Sequence, residues 1–584
     1  MERRYQLIVL VVALLVFGGS AISPPGLMDD VDAVQAQIAR NMLDSGDWVT
    51  ARLDGIAYLE KAPMPYWMMA CSYAVFGVHD WAARVPFVLS AIVLCWLVAR
   101  MAAWAFSERA GLYAGLSLAT SIGLWLFTRI QIPDVTLTLM IALALWAFVR
   151  KWPYLFWAAM GVGFLLKGLV AMVFPLAAVV VYWTVARRWS EWRSLRPFTG
   201  PLVTLAIGAP WVVLAALRNP PYFDFTMRSV PGEYHGFFWF FFLNEHLFRF
   251  LNMRYPRDYN TVPRAAFWLF HLLWFFPWSV YLPAAFKATA TEDRARQMRL
   301  LCLCWLGFIL VFFTFSTTQE YYSMPAYPAF AILLGAGLDS EHRWLRPGSR
   351  VLGVLCGAVA ALLFVIFWMV RGVPTPGDIA QALTSNPDVY TLSLGHMTDL
   401  TLQAFAYLRG PVMLAAVAFA IGAYSCFKHS GQKVALALAV MMVLFTQAAR
   451  WALVGFDPYL GSRPLAEALK QSPPGDVIFD NQYYAFSSVF FYANTKGWLL
   501  NGRVNNLEYG SYAPGAPQIF LDDEGFAKKW LGEQRCYLLI EWPSVPRLQK
   551  RVGVQRLHAV KSAGGKFLYT NLPLENRPAD TMKN

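Results

Sequence analysis

The residues of this chain best suited to chemistry are carboxylates and cations set beside long apolar runs. Three acids, Asp29, Asp30 and Asp32, open a polar stretch from Leu27 to Trp67, directly behind the first apolar run. Val31, Val34, Ile38 and Met42 mark an amphipathic helix over the same residues. Tyr58-Leu59-Glu60-Lys61 follows, then Pro63, Pro65 and Tyr66-Trp67. Asp134 stands after a proline at the end of Thr128-Arg129-Ile130-Gln131-Ile132-Pro133, and Lys167 interrupts an apolar stretch at Leu166-Lys167-Gly168. Glu245, His246 and Arg249 fall within one helical turn of an aromatic segment running from Phe237 to Trp278, and Tyr321-Tyr322 lies in a polar turn. Charges at a bilayer boundary are costly enough to be functional candidates by default. Together they suit an anionic lipid substrate: cations stabilise a departing phosphate, and a carboxylate takes the proton of a hydroxyl acceptor.

The elements that must position these groups are membrane helices. Of 584 residues, 57% are hydrophobic and 16% aromatic, and apolar runs long enough to cross a hydrocarbon core of about 30 Å recur throughout. Thirteen candidate spans are expected at about 5–22, 82–105, 110–128, 133–150, 152–166, 168–186, 199–217, 265–286, 299–315, 322–338, 350–370, 411–427 and 434–454. The run behind Arg3-Arg4 lacks a clean cleavage site and is expected to be an uncleaved first span. With Arg3-Arg4 in the cytoplasm, every later cytoplasmic connection is basic, including Arg100, Arg109, Arg150-Lys151 and Arg187-Arg188. The loops 23–81, 218–264 and 371–410 then face the periplasm, as do all the candidate residues above. The expected domains are a transmembrane unit over 1–458 and a soluble periplasmic α/β domain over 459–584, with strands at DVIFDN and CYLLIE, a late hairpin, and a disordered last ten residues.

Each candidate also has a plainer reading. Asp29 as N-cap with Asp32 three positions on would make a capping box, which leaves one acid spare. Asp134 would be another N-cap, Lys61 a snorkelling interfacial lysine, Lys167 a turn marker, and the aromatic segment an interfacial amphipathic helix. Asn501–Gly510, rich in turn formers, reads as a loop.

The order Asp-rich helix, Gly46-Asp47-Trp48-Val49-Thr50, Gly55, Tyr58-x-Glu60-Lys61-x-Pro63 and Tyr66-Trp67 resembles the first periplasmic loop of bacterial aminoarabinose transferases. These are GT-C glycosyltransferases, related to the protein O-mannosyltransferases, that use polyprenyl-phosphate sugars. Glu245-His246-x-x-Arg249-Phe250 matches a further signature, and Leu166-Lys167-Gly168 resembles the family's Thr-Lys-Gly. The family's usual Asp-Glu-x-Arg opening is altered: its Asp falls on Val31 and its Glu on Asp32, so the key carboxylate is Asp30 or Asp32. The resemblance implies a GT-C fold and catalytic roles for Asp30, Asp32 and Asp134. It implies donor-phosphate binding by Lys61, Tyr58, Arg249 and Lys167, and substrate contacts from Glu60, Glu245, His246, Tyr321 and Tyr322. The implied activity is hexosyl or pentosyl transfer from a polyprenyl-phosphate (undecaprenyl-phosphate) sugar to a lipid A-like lipid, glycan or protein acceptor at the periplasmic face of the bacterial inner membrane.

Other classes fit less well. The net charge of +13 is scattered over connecting loops rather than gathered in a basic domain, which suits membrane lipids and not nucleic acid. The seven cysteines form neither a CxxC pair nor an evenly spaced set. No cofactor is required by the motifs; a divalent metal ion is admissible, because acidic membrane loops bind such ions. A flippase for lipid-linked sugars is the main rival, but internal repeats and midplane polar residues on broken helices are not evident. A noncatalytic assembly or sensor protein is a third.

Overall fold

The computed structural model describes residues 1–257, 262–287, 292–316, 319–340, 342–384 and 398–574. The tail expected to be disordered, 575–584, and 385–397 of the 371–410 loop lie outside the described residues. In chain order the principal helices are α1 (Arg3–Ala21), α2 (Val31–Ser45), α3 (Asp80–Ala105), α4 (Asp134–Val149), α5 (Pro153–Lys167), α6 (Val170–Ala186), α7 (Gly200–Arg218), α8 (Asp293–Phe315), α9 (Leu345–Val370), α10 (Gln403–Lys428) and α11 (Gln432–Leu460). Apolar segments in lipid must satisfy their backbone internally, which is why these runs are helical.

All thirteen expected spans fall on helices, but they are not equivalent. Among the described residues, seven helices (α1, α3 and α7–α11) are long and apolar enough to cross a membrane, or up to nine if two bent pairs are counted. Those pairs are Glu108–Ala119 with Ile122–Thr128, bent by 50°, and Arg264–Trp274 with Trp278–Lys287, bent by 96°. Helices α4, α5 and α6 have 16, 15 and 17 residues; at a rise of ~1.5 Å per residue each falls short of a core of about 30 Å. The segment expected at 322–338 is a 13-residue helix, Tyr327–Asp339, preceded by a 3-10 turn.

The first loop is an ordered unit. Helix α2 ends at Gly46, whose φ of 72° makes the left-handed stop. Strands β1 (Arg52–Leu53) and β2 (Ile56–Ala57) pair antiparallel across Asp54-Gly55, both at positive φ, the geometry of a primed two-residue hairpin. The capping-box reading does not hold. Asp30 occupies the N-cap position without a side-chain cap bond. Asp29 instead accepts from Ser488 N at 2.8 Å, Ser462 Oγ at 2.6 Å and Lys566 Nζ at 2.6 Å. All three donors lie more than 400 positions later in the chain, so this acid is a tether rather than a cap.

The C-terminal segment carries a six-stranded sheet of order β5-β4-β3-β6-β8-β7, where β3 is Asp476–Asp480, β4 Trp498–Leu500, β5 Phe520–Leu521, β6 Cys536–Glu541, β7 His558–Ala563 and β8 Lys566–Thr570. The first four strands are parallel, and β8 and β7 close the sheet antiparallel. Alternation divides the sheet between two cores. Val477, Phe479, Tyr537 and Leu539 pack into the cluster that contains Val34 and Ile38 of α2. Ile478, Leu538 and Ile540 pack with Phe526 and Trp530 on the other face. A short helix, α12 (Asn505–Ser511), lies against β2, where a Cβ at Gly510 would strike the Ala57 carbonyl.

Candidate active site

Two polar groupings arise where the helix ends meet the first loop. The first is a closed ring built on Glu60, whose carboxylate is 7% exposed. Its Oε1 faces Lys61 Nζ and, at 3.4 Å, Arg249 Nη1; its Oε2 accepts from the Tyr58 hydroxyl at 2.7 Å and from Asn506 Nδ2 at 2.5 Å. Arg249 also bonds Glu245 Oε2 at 2.7 Å, Glu245 pairs with Arg254, and Arg254 Nη2 returns to Asn506 Oδ1 at 2.7 Å. The loop through Glu60, Arg249, Glu245, Arg254 and Asn506 thus closes on itself. Burial alone would raise the Glu60 pKa, but Lys61, Arg254 and Arg249 hold its carboxyl well below the usual carboxylate range. A π-helix over Trp239–Phe248 supplies Glu245, and Arg249 follows at its C-terminal end.

The second grouping is smaller. Asp134, 2% exposed, opens α4, and its Oδ1 accepts from Lys167 Nζ at 2.6 Å. Its Oδ2 is buried and has no hydrogen-bond partner among the described residues. The Lys167 ammonium lies 5.0 and 5.1 Å from the ring centres of Tyr321 and Tyr322. These tyrosines join the two groupings. Burial pushes the Tyr321 hydroxyl far up, Tyr322, Asp134 and Glu60 push the same way, and Arg249 opposes them. Tyr321 is therefore a neutral hydroxyl within the field of both centres.

Several expected roles change. The Tyr58 proton is donated to Glu60, so its hydroxyl supports the ring instead of offering that proton to a phosphate. His246 is placed on backbone: Nδ1 meets Phe241 O at 2.5 Å and Nε2 accepts from Leu169 N at 3.1 Å. Both ring nitrogens are thereby committed to backbone, in the neutral form that burial favours by lowering the pKa. The histidine pins the turn carrying Lys167, and Gly168 makes room for it: φ is 75° and any Cβ there would run into His246 Nε2. Glu60 and Glu245 hold cations in place and are not placed as direct substrate contacts.

The three expected catalytic acids are not grouped. Asp32, 1% exposed, accepts from Gln131 N at 2.9 Å, and burial raises its pKa despite Arg84 and Arg129 nearby. Asp30 is exposed; φ is 68°, and its amide bonds Tyr484 O at 2.8 Å. Asp134 is set against a lysine, Lys167. Sequence reasoning passed over Arg254 and Asn506. Their only signal was their place in the segment from Phe237 to Trp278 and in the turn-rich run Asn501–Gly510. Among the described residues no three His, Cys, Asp or Glu side chains gather as a metal site.

The more exposed members are the lysines: Lys61 is 26% exposed and Lys167 23%, while their carboxylate partners are buried. A pocket beside Lys61 has Tyr58, Tyr66, Trp211 and Phe237 in its wall. Among the described residues the two groupings offer two half-buried cations, a carboxylate oxygen without a donor, and aromatic neighbours.

The family described as Dolichyl-phosphate-mannose-protein mannosyltransferase matches residues 60–214, which takes in Glu60, Lys61, Asp134 and Lys167. An undecaprenyl phosphate-alpha-4-amino-4-deoxy-L-arabinose arabinosyl transferase of Aeromonas salmonicida is 28% identical over 356 residues, 56% of this chain and 60% of that one. The Sodalis glossinidius transferase of the same description, numbered 1, is 31% identical over 355 residues, 56% of this chain and 59% of that one. The chain thus spans about three fifths of the length of these relatives. The crystal structure of ArnT from Cupriavidus metallidurans bound to undecaprenyl phosphate superposes with a TM-score of 0.76 at 24% identity, covering 98% of both chains.

Proposed function

Starting from a multi-pass helical membrane protein with the GT-C fold, we propose that this chain is a glycosyltransferase using a polyprenyl-phosphate-linked sugar. The observation that carries the reading is the Asp134–Lys167 pair. One carboxylate oxygen is fixed by the lysine, the other is buried without a partner among the described residues, and two tyrosines link the pair to Arg249. Similarity to transferases whose names specify undecaprenyl phosphate-aminoarabinose supports the same class of donor.

In the reaction, the bond between the anomeric carbon and the phosphate oxygen of the donor breaks as a bond from that carbon to an acceptor oxygen forms, with inversion expected. The departing phosphate gathers negative charge, which Lys61, Lys167 and Arg249 stabilise. A hydroxyl acceptor gives its proton to a carboxylate, for which Asp134 Oδ2 is the available atom. A phosphate acceptor, as in lipid A modification, needs no such base. We assign the reaction to the periplasmic face of the inner membrane, with the N-terminus cytoplasmic and residues 459–584 periplasmic, on the strength of the basic residues in the opposite loops. Lipid A-like lipid is the favoured acceptor; glycan and protein remain further candidates for the same chemistry.

The test uses purified wild type, Asp134→Asn and Lys61→Ala in one lipid environment, mixed with a panel of polyprenyl-phosphate sugars and extracted membrane acceptors. Mass spectrometry follows glycosyl transfer. Transfer by wild type that collapses in folded Lys61→Ala, and in folded Asp134→Asn as well where the acceptor is a hydroxyl, supports the reading. Movement of lipid-linked sugar across vesicles without any transfer overturns it in favour of a flippase.

A further inference from the structure

A small cleft lies beside the first loop and shares no lining residue with the Glu60 ring or the Asp134–Lys167 pair. Its polar wall is Arg84, Arg129, Arg450, Asp32 and Asp457. The arginines hold the chain where α1 hands over to α2. Arg450 Nη2 bonds Pro24 O at 2.7 Å, Arg84 bonds Pro25 O at 2.9 Å and Gly26 O at 2.6 Å, and Arg129 Nη1 reaches only the Met28 sulfur at 3.1 Å.

Holding that bend does not use up their donors. The Nε–H of all three guanidiniums is buried and meets no acceptor among the described residues. The two aspartates lie in the field of these arginines without meeting the Nε–H donors: Asp32 faces Arg84 and Arg129, Asp457 faces Arg84, and their hydrogen bonds run to backbone, Asp32 Oδ1 accepting from Gln131 N at 2.9 Å and Asp457 Oδ1 from Gly26 N at 2.8 Å. Three cations thus stand against two carboxylates. A buried donor left unpaired costs about 1–3 kcal/mol, so three around one space call for a ligand that accepts. Guanidinium forks match the oxygens of a phosphate. Apart from Ser20 the remaining wall is largely apolar, including Trp125 and Leu453 and Leu460 of α11, which suits a chain-bearing molecule and not a free ion.

We propose that this cleft is a second oxyanion site, which takes the phosphate group of a membrane amphiphile. It sits close to the proposed reaction centre. Arg129 and Asp134 bound one turn, so their Cα atoms are at most ~17 Å apart, and Asp32 bonds the backbone of that turn at Gln131. Two sources present this chemistry, an acceptor substrate bearing a phosphate and a resident phospholipid. The acceptor case alone rests on the transferase reading.

The experiment places the full chain in nanodiscs of phosphatidylcholine doped with dioleoyl phosphatidic acid and counts retained phosphatidic acid by native mass spectrometry. Arg129→Gln and Arg450→Gln should each lower retention about tenfold, with Arg129→Lys recovering part of it. Arg450 is the more exposed of the two, so its variant keeps the test open if Arg129→Gln fails to fold. Unchanged retention in the folded glutamine variants overturns the proposal. So does an equal loss in Lys61→Ala, which would put the phosphate at the other cluster. A transfer assay then separates the sources: a raised acceptor KM at unchanged donor KM marks an acceptor site, and lost retention at unchanged KM marks a resident lipid. If wild type transfers no sugar at all, the transferase reading fails while the retention count still decides this one.

Discussion

Glu60 and Asp134 are both buried carboxylates facing a lysine, and they are employed differently. Glu60 accepts from Tyr58, Lys61, Arg249 and Asn506, which fills the roughly four acceptor positions a carboxylate offers. Asp134 accepts from Lys167 on one oxygen and, among the described residues, keeps the other without a donor. A saturated buried network rigidifies, whereas an unsatisfied buried atom is expensive to keep and so points to use. The contrast separates a scaffold from a reaction centre more sharply than the motifs do, because Glu60 lies in the better-matched motif of the two.

The strongest way to break this comparison is to remove each negative charge in turn. Asp134→Asn should cut glycosyl transfer by about 10²–10⁴-fold if a hydroxyl acceptor is used, with Tm nearly unchanged because the amide oxygen can still accept from Lys167. Glu60→Gln should lower Tm and loosen the ring, with a smaller loss of turnover in the folded fraction. Equal turnover losses at equal Tm would erase the distinction. Next in size, Lys167→Met should raise the donor KM about 10–100-fold, the worth of one charged hydrogen bond of roughly 1.5–3 kcal/mol, read from initial rates at varied donor. Asn506→Leu should then cost about 1–3 kcal/mol of stability by leaving Glu60 and Arg254 each one bond short, measured by thermal unfolding in detergent, with donor KM little changed.

The smallest effect concerns His246. Burial holds its pKa below the ordinary 6.5, so the unfolded chain binds the proton more readily than the folded one. Its contribution to stability is therefore complete above about pH 6.5 and declines as pH falls from there towards the folded value. His246→Gln should flatten that part of the Tm–pH curve while leaving the turnover profile in shape. A turnover profile that moves with this substitution would return His246 to the reaction.

The apolar runs were legible because lipid leaves a chain only helix as a way to satisfy its backbone, and thirteen of them stood out. Their unequal lengths were not, since prolines and glycines such as Pro277 and Gly168 cut continuous apolar stretches into pieces only geometry reveals. Lys61, Lys167 and Asp134 were readable as charges where charge is costly. Asn506 was hidden, because an asparagine among turn formers looks like a loop until a partner appears 446 positions earlier. Asp29 misled for a related reason. An acid before a helix reads as a cap, and its actual partners, Ser462, Ser488 and Lys566, are remote in sequence.

That separation of 446 residues between Glu60 and Asn506 sets a timetable for biogenesis. At about 5–20 residues per second, a ribosome needs roughly 20–90 s to progress from one to the other. Through that interval the nascent first loop carries Glu60 without one of the donors that complete its ring. Until α12 has been made and has docked on β2, the ring through Glu60, Arg249, Glu245, Arg254 and Asn506 stays open, and a chain stopped before residue 506 cannot close it.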